Sequence, residues 1–443
     1  MAAAVAAAQN GLRVELFEQR KSLGGRARSF LDPKTGQLVD HCQHVSMGCC
    51  TALADFCRQT KVDDCFRNYR ELHFFGPDGQ QCDFNIAGWL PAPLHLLPGL
   101  MRLKYFARGE RWNIARTLRK LARAQPNDNQ ESIGAWLQRH GQSEQMIELF
   151  WSVVLKSALS ESTDRVSLAA AQKVFVDGFL ASPHGCELEV PRFPLREIFD
   201  RRVGTWLQEY GVAVHRGTRI KQIDGDAARA TALVLPDGTR REFDFVVAAV
   251  PWQHIRSLLS EAVLEAIPTL QHVDNFQSSP ITAVHFWFDR PITPLPHAVL
   301  VGKRSQWVFN RGQHYCQVVI SAANELVGQD RGKLVAAVRD ELNAIWPKVE
   351  SARLLHWRVI THRSPIFSVT PGVDSYRPSQ QTPIENLLLA GDWTSTGWPA
   401  TMESAVRSGQ LAVEGILQAL GEIRQLVTPE LQPSLSARMI LRI

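Results

Sequence analysis

The chain of 443 residues holds no apolar run long enough to cross a bilayer, which takes about 20 residues. It also lacks any C-x-x-C pair: its eight cysteines stand at 42, 49, 50, 57, 65, 82, 186 and 316. That spacing argues against a zinc site, so no metal is expected, and it fits reduced, buried thiols in the cytosol. Charge of one sign is not in excess, with 49 basic against 44 acidic side chains and a net charge of +5. Without a basic stripe interleaved with aromatics, nucleic acid is not an expected partner. No G-x-G-x-x-G occurs, and no lysine stands between Lys221 and Lys303. The alanine-rich start lacks the charged region of a secretory signal and runs straight into a strand, so it reads as helix.

What is present is ordinary for a globular protein, 45% hydrophobic and 21% charged, with length for two or three domains. Residues 2–9 are almost all Ala and Val, a helix that can lie close on a sheet, closed by Asn10-Gly11. Residues 14–18 form the next strand. This is the last part of a β-α-β unit whose first strand and glycine loop would precede Met1, and the expectation is that the natural start lies upstream. Glu18 ends the strand at the edge where a nucleotide-binding fold holds a ribose. Gly24-Gly25-Arg26 follows, bare backbone for a pyrophosphate with a guanidinium behind it.

Hairpins are expected at 28–31 with 37–40, at 72–75 with 81–86 and at 232–235 with 242–244. Helices are expected at 49–60, 131–140, 144–160, 166–180, 194–210 and 332–344. Residues 88–124, rich in leucine and arginine, read as an amphipathic helix of about four turns, either core-facing or lying on a membrane. Further strands are expected at 212–215, 219–223, 281–288, 298–301, 317–321 and 354–360. Residues 245–250 and 386–390 are apolar throughout, as in a buried parallel sheet. A long helix at 401–420 follows Gly391-Asp392. Its amino end would point a positive dipole at whatever precedes it. The tail from 425 to 443 is left open between disorder and a surface-seeking segment.

Two distant stretches thus read as halves of one FAD site: Glu18 with Gly24-Gly25-Arg26-Ala27-Arg28-Ser29, and Leu389 to Gly409 around Asp392. With them the sequence resembles the flavin amine oxidase and phytoene desaturase superfamily. Gln43-His44-Val45, Leu90-Pro91-Ala92-Pro93-Leu94 and residues 191–195 narrow the resemblance to the hydroxysqualene dehydroxylases, also called squalene-associated FAD-dependent desaturases, over residues 2 to 420.

The resemblance implies an α/β fold: a Rossmann-like FAD-binding domain (1–70, 200–260, 380–420) with an interleaved α+β substrate domain (71–199, 261–379) and a tail (421–443). It implies FAD held by Glu18, Gly24, Gly25, Arg26, Ile220, Asp392, Thr401, Met402 and Glu403. The activity implied is reduction of hydroxysqualene to squalene, hydride replacing an allylic hydroxyl of a C30 isoprenoid, as in hopanoid biosynthesis. That needs a proton donor, for which His44, Asp40 and Glu403 stand unranked. The location implied is the cytoplasm, with peripheral contact to the inner membrane, and the sequence names no electron donor. The chain departs from the family pattern in carrying Cys42 where a glycine follows Asp40 by two. Three alternatives stay open. An amine oxidase is disfavoured by Thr401, where those enzymes place an aromatic, and by the missing lysine. A desaturase shares every cofactor residue. A degenerate, lipid-binding scaffold would carry no flavin.

Overall fold

Small side chains decide where the first helix goes. Ala2–Gln9 lies against the long helix Met402–Ala419, and a Cβ added at Gly409 would stand 2.6 Å from the Ala3 nitrogen. Only glycine permits that approach. Gly11, at φ +77°, turns the chain out of the helix into Glu15–Glu18. This strand pairs in parallel with Ala213–Arg216, and Val246–Ala248 pairs in parallel with Leu387–Leu389. The two parallel pairs are separate two-stranded sheets. Leu387, Leu388 and Leu389 are all buried, as a strand covered on both faces requires. The computed structural model describes residues 1–125, 131–312 and 314–443.

The second body is a seven-stranded mixed sheet. In spatial order its strands are Leu354–Phe367, Ser278–Phe288, Tyr315–Ile320, Trp307–Asn310, His297–Leu300, Glu71–Phe75 and Gln81–Asn85. All neighbours are antiparallel except His297–Leu300 with Glu71–Phe75. The Arg331–Ile345 helix covers one face through Leu334, Val338 and Leu342. Toward the other face stands a small sheet of Ser46–Met47, Leu188–Pro191 and Phe66–Tyr69, joined to it by a cluster of Leu188, Val190 and Phe309.

Residues 88–124 differ from the expected single helix. The chain makes a short helix at Leu97–Met101, a loop, and then Arg108–Ala122. Pro91, Pro93, Pro98 and Gly99 interrupt the period, and Arg111 instead donates to the carbonyls of Met101 and Phe106. The strand expected at 219–223 starts later, at Gln222–Gly225. The tail carries a helix, Leu435–Leu441, fastened to Arg108–Ala122 and the turn after it by Arg119 and Arg123, which donate to the carbonyls of Ile440 and Leu441. Among the described residues no helix is long and apolar enough to cross a membrane. All eight cysteines are free thiols, seven buried and Cys50 half-buried.

Candidate flavin site

The turn after the first strand is built to bring backbone close. Gly24 has φ +107°, and a Cβ there would stand 2.5 Å from the Ala27 carbonyl oxygen, so the Gly24–Ala27 turn closes only on glycine. Gly25, at φ +59°, faces open space. Glu18 accepts from the Arg20 amide at 2.8 Å. Its carboxylate also acts on the Met1 amino group, whose pKa is lowered by burial against the pull of Glu18. Ile220 packs nearby with Phe17 and Phe243 on the largest apolar cluster.

The C-terminal half meets this turn directly. Arg26 Nη2 lies 2.5 Å from Asp392 Oδ1, and the Pro365 carbonyl accepts from Arg26 Nη1. Asp392 is buried while Arg26 stays partly exposed. Thr401 is the N-cap of the long helix, its Oγ1 accepting from the Ser404 amide at 3.2 Å. Met402 packs on the apolar cluster beneath.

Glu403 has a different task from the one expected. It is buried, and its two oxygens accept from the amides of Ala52 (3.1 Å) and Leu53 (2.7 Å), with Arg407 3.4 Å away. It caps the Thr51–Gln59 helix across the fold. Burial raises its pKa, and the two amides and Arg407 pull it back. Both oxygens are committed, which corrects its reading as a proton donor.

Asp40 is held through one oxygen, and its buried Oδ2 has no hydrogen-bond partner. Oδ1 accepts from Ser29 Oγ at 2.6 Å and the Leu195 amide at 2.8 Å, while Arg311 stands 3.6 Å from Oδ2. Burial raises its pKa, opposed by Arg311. His44 is half-buried, with Nδ1 3.1 Å from the Cys42 carbonyl, so Nδ1 carries the hydrogen and Nε2 is left as an acceptor. Burial lowers its pKa, the Cys42 carbonyl raises it and Arg26 lowers it further.

The sequence reading missed the neighbours of His44. His41 and His362 lie with ring centroids 5.2 Å apart and planes tilted by 44°. Burial, His362, Arg20 and His44 together hold His41 down to about 4, and His362 is lowered by burial, His44 and Arg20. The three imidazoles are thus neutral near pH 7, with Arg20 and Arg26 acting against their protonation. The H-x-x-H spacing of His41 and His44 was the available signal. Arg377 was also missed; 9% exposed, it donates to the carbonyls of Asp392 (3.2 Å) and Thr394 (2.6 Å) and fixes the loop.

These features bring two chain-distant halves together at one joint, built from a strand end, a glycine turn and a capped helix. The family model of flavin-containing amine oxidoreductases matches residues 1–417. The chain belongs to that family and is an FAD-dependent oxidoreductase. It is 26% identical to a hydroxysqualene dehydroxylase of Zymomonas mobilis, over 94% of this chain and 95% of the relative. It is 23% identical to a 15-cis-phytoene desaturase of Solanum lycopersicum, over 93% and 74%. The cyclohexylamine oxidase of Brevibacterium oxydans has the same fold, with a TM-score of 0.69 at 16% identity over 95% and 97%.

Proposed function

We propose that the chain reduces hydroxysqualene, an allylic C30 alcohol, to squalene in hopanoid or related triterpenoid biosynthesis. The observation that carries this is the end-to-end match to a hydroxysqualene dehydroxylase, whose length the chain covers almost whole, whereas the phytoene desaturase extends beyond it. Bound at Glu18, Gly24–Arg26, Asp392 and the Thr401 helix end, reduced FAD would supply a hydride to carbon. The chain's own residues do the rest. Arg26 and Asp392 hold the two halves of the cofactor site together. We assign the proton transfer to His44, whose Nε2 is left as an acceptor by the Cys42 carbonyl on Nδ1.

That histidine supports a second reading. A neutral imidazole accepts a proton more readily than it gives one, which suits desaturation of an apolar polyene. Incubating the purified chain with reduced FAD and hydroxysqualene, and analysing for squalene, separates the two; absence of squalene under reducing conditions overturns the first. The alternative of a flavin-free scaffold fails if the purified protein is yellow.

The substrate's insolubility favours contact with a membrane surface. Trp89 (80% exposed), Leu435 (77%) and Met439 (73%) stand out on the surface. Ser434 and Ser436 donate to the Ala92 carbonyl, which brings the last helix beside the Trp89 turn. Arg438 and Arg442 add charge for anionic headgroups.

A further inference from the structure

A cavity of about 250 Å³ opens between the small three-stranded sheet and the edge of His297–Leu300 and Trp307–Asn310. Three arginines stand in its wall, beside Tyr69, Val190 and Phe309. Arg67 and Tyr69 share one face of their strand, two residues apart, and Arg192 and Arg311 come from the chain segments beside it. Arg311 is fixed by the carbonyls of Pro191 and Phe193 and by Asp40 at 3.6 Å. Arg192 donates to the Asp64 carbonyl at 3.4 Å, and Arg67 has no ion-pair partner among the described residues. Three guanidinium groups thus line the space; of the carboxylates beside them, Asp40 accepts from Ser29 and the Leu195 amide, and Asp64 acts on Arg192.

The same wall holds an unsatisfied polar group. His297 is 1% exposed, its Nε2 lies 3.2 Å from the Glu71 carbonyl, and its Nδ1 has no partner. A carbonyl only accepts, so Nε2 carries the hydrogen and Nδ1 is an acceptor. Burial, with His73 adding to it, holds the ring down to about 4, so it stays neutral at physiological pH. A ligand suited to this wall brings negative charge for the arginines and a hydroxyl for Nδ1.

We propose that this cavity binds a small oxyanion of the phosphate class that keeps a proton: hydrogen phosphate, diphosphate, or the phosphomonoester head of a lipid. Oxyanions pair with guanidinium forks, and the P–OH group completes the histidine. The site is separate from the flavin residues and goes beyond the redox reading, so its test needs neither flavin nor turnover.

The test is titration calorimetry of the full chain at pH 7.5 in chloride buffer with phosphate, diphosphate and sulfate, beside co-sedimentation with phosphatidylcholine vesicles with and without phosphatidic acid. The Arg67→Gln/Arg192→Gln double variant is compared with Arg13→Gln, whose side chain lies elsewhere on the surface, and circular dichroism checks that each is folded. Saturable binding of phosphate or diphosphate, at least about tenfold tighter than sulfate and weakened about tenfold or more by the double variant alone, supports the site with a free anion. Binding that needs phosphatidic acid and is lost in the double variant supports it with a lipid headgroup. Binding of neither probe, equal affinity for sulfate, or binding that the double variant leaves intact overturns it.

Discussion

Arg26 and Asp392, from opposite ends of the sequence, form an ion pair at 2.5 Å with the carboxylate buried and the guanidinium partly exposed. Removing either partner has unequal consequences. Arg26→Ala leaves a buried carboxylate unpaired and is expected to cost about 1–3 kcal/mol, discounted toward the lower end because Arg26 reaches solvent. Asp392→Asn keeps a hydrogen-bond acceptor and costs less. Both lower the flavin content of purified protein, read as absorbance near the flavin band against protein absorbance, and thermal melts give the order. Equal flavin content in all three proteins would show that the pair is no part of the cofactor site.

Glu403→Gln tests the cap on the Thr51–Gln59 helix. The amide cannot accept from both Ala52 and Leu53, so about 1–3 kcal/mol is expected to be lost. Because burial raises the pKa of Glu403 in the folded state, the native form binds the proton more tightly than the unfolded chain. Its contribution to stability therefore falls as pH rises through the unfolded value toward the folded one. The variant should lose that dependence at mildly acidic pH while keeping its flavin chemistry.

How much of this was legible varies with the physics. Gly24-Gly25-Arg26 and the Asp392 helix entry were readable because a turn, a strand end and an N-cap each demand particular residues nearby in sequence. The pairing of Glu403 with Ala52 and Leu53 was not, since a buried glutamate looks the same whether it caps a distant helix or faces a ligand. Residues 354–367 were read too short. The strand runs on through Pro365 because it is at the sheet's edge, paired only to Ser278–Phe288 and with a register shift opposite Ser279 and Ile281, where a missing N–H costs little. Leu188–Pro191 and Trp307–Asn310 were missed because strands of four residues carry too little alternation.

Acid should destabilise the protein through its neutral histidines. His41, His95 and His297 are held at about 4 and His285 at about 3, all chiefly by burial. The unfolded chain takes up protons near 6.5 that the folded form refuses, so stability is complete above about 6.5 and falls as pH drops toward 4. Thermal melts from pH 4 to 8 should show this slope, and His41→Gln should make it shallower. A melting temperature flat across that window would contradict the burial of these rings.

His44 carries the proton-transfer assignment. His44→Gln should retain flavin and lower turnover by about 10²–10⁴. With hydroxysqualene, the wild-type rate should rise from pH 7.5 to 5.5, because a proton donor must first be charged and its pKa is lowered. A desaturation would run the other way, slowing as the imidazole becomes protonated.

Membrane contact rests on the side chains at Trp89, Leu435 and Met439. Replacing all three with serine should reduce sedimentation with anionic vesicles several-fold and leave the melting temperature unchanged, since none is buried. Undiminished sedimentation would place the contact elsewhere.

The central claim is the reaction itself, and an anaerobic single turnover tests it most directly. The flavin-loaded protein is reduced chemically, mixed with hydroxysqualene, and followed by flavin absorbance and by mass spectrometry of the extracted lipid. Squalene formed in step with reoxidation of the flavin, about one for one, is the expected result. Flavin that stays reduced with hydroxysqualene recovered intact would contradict it.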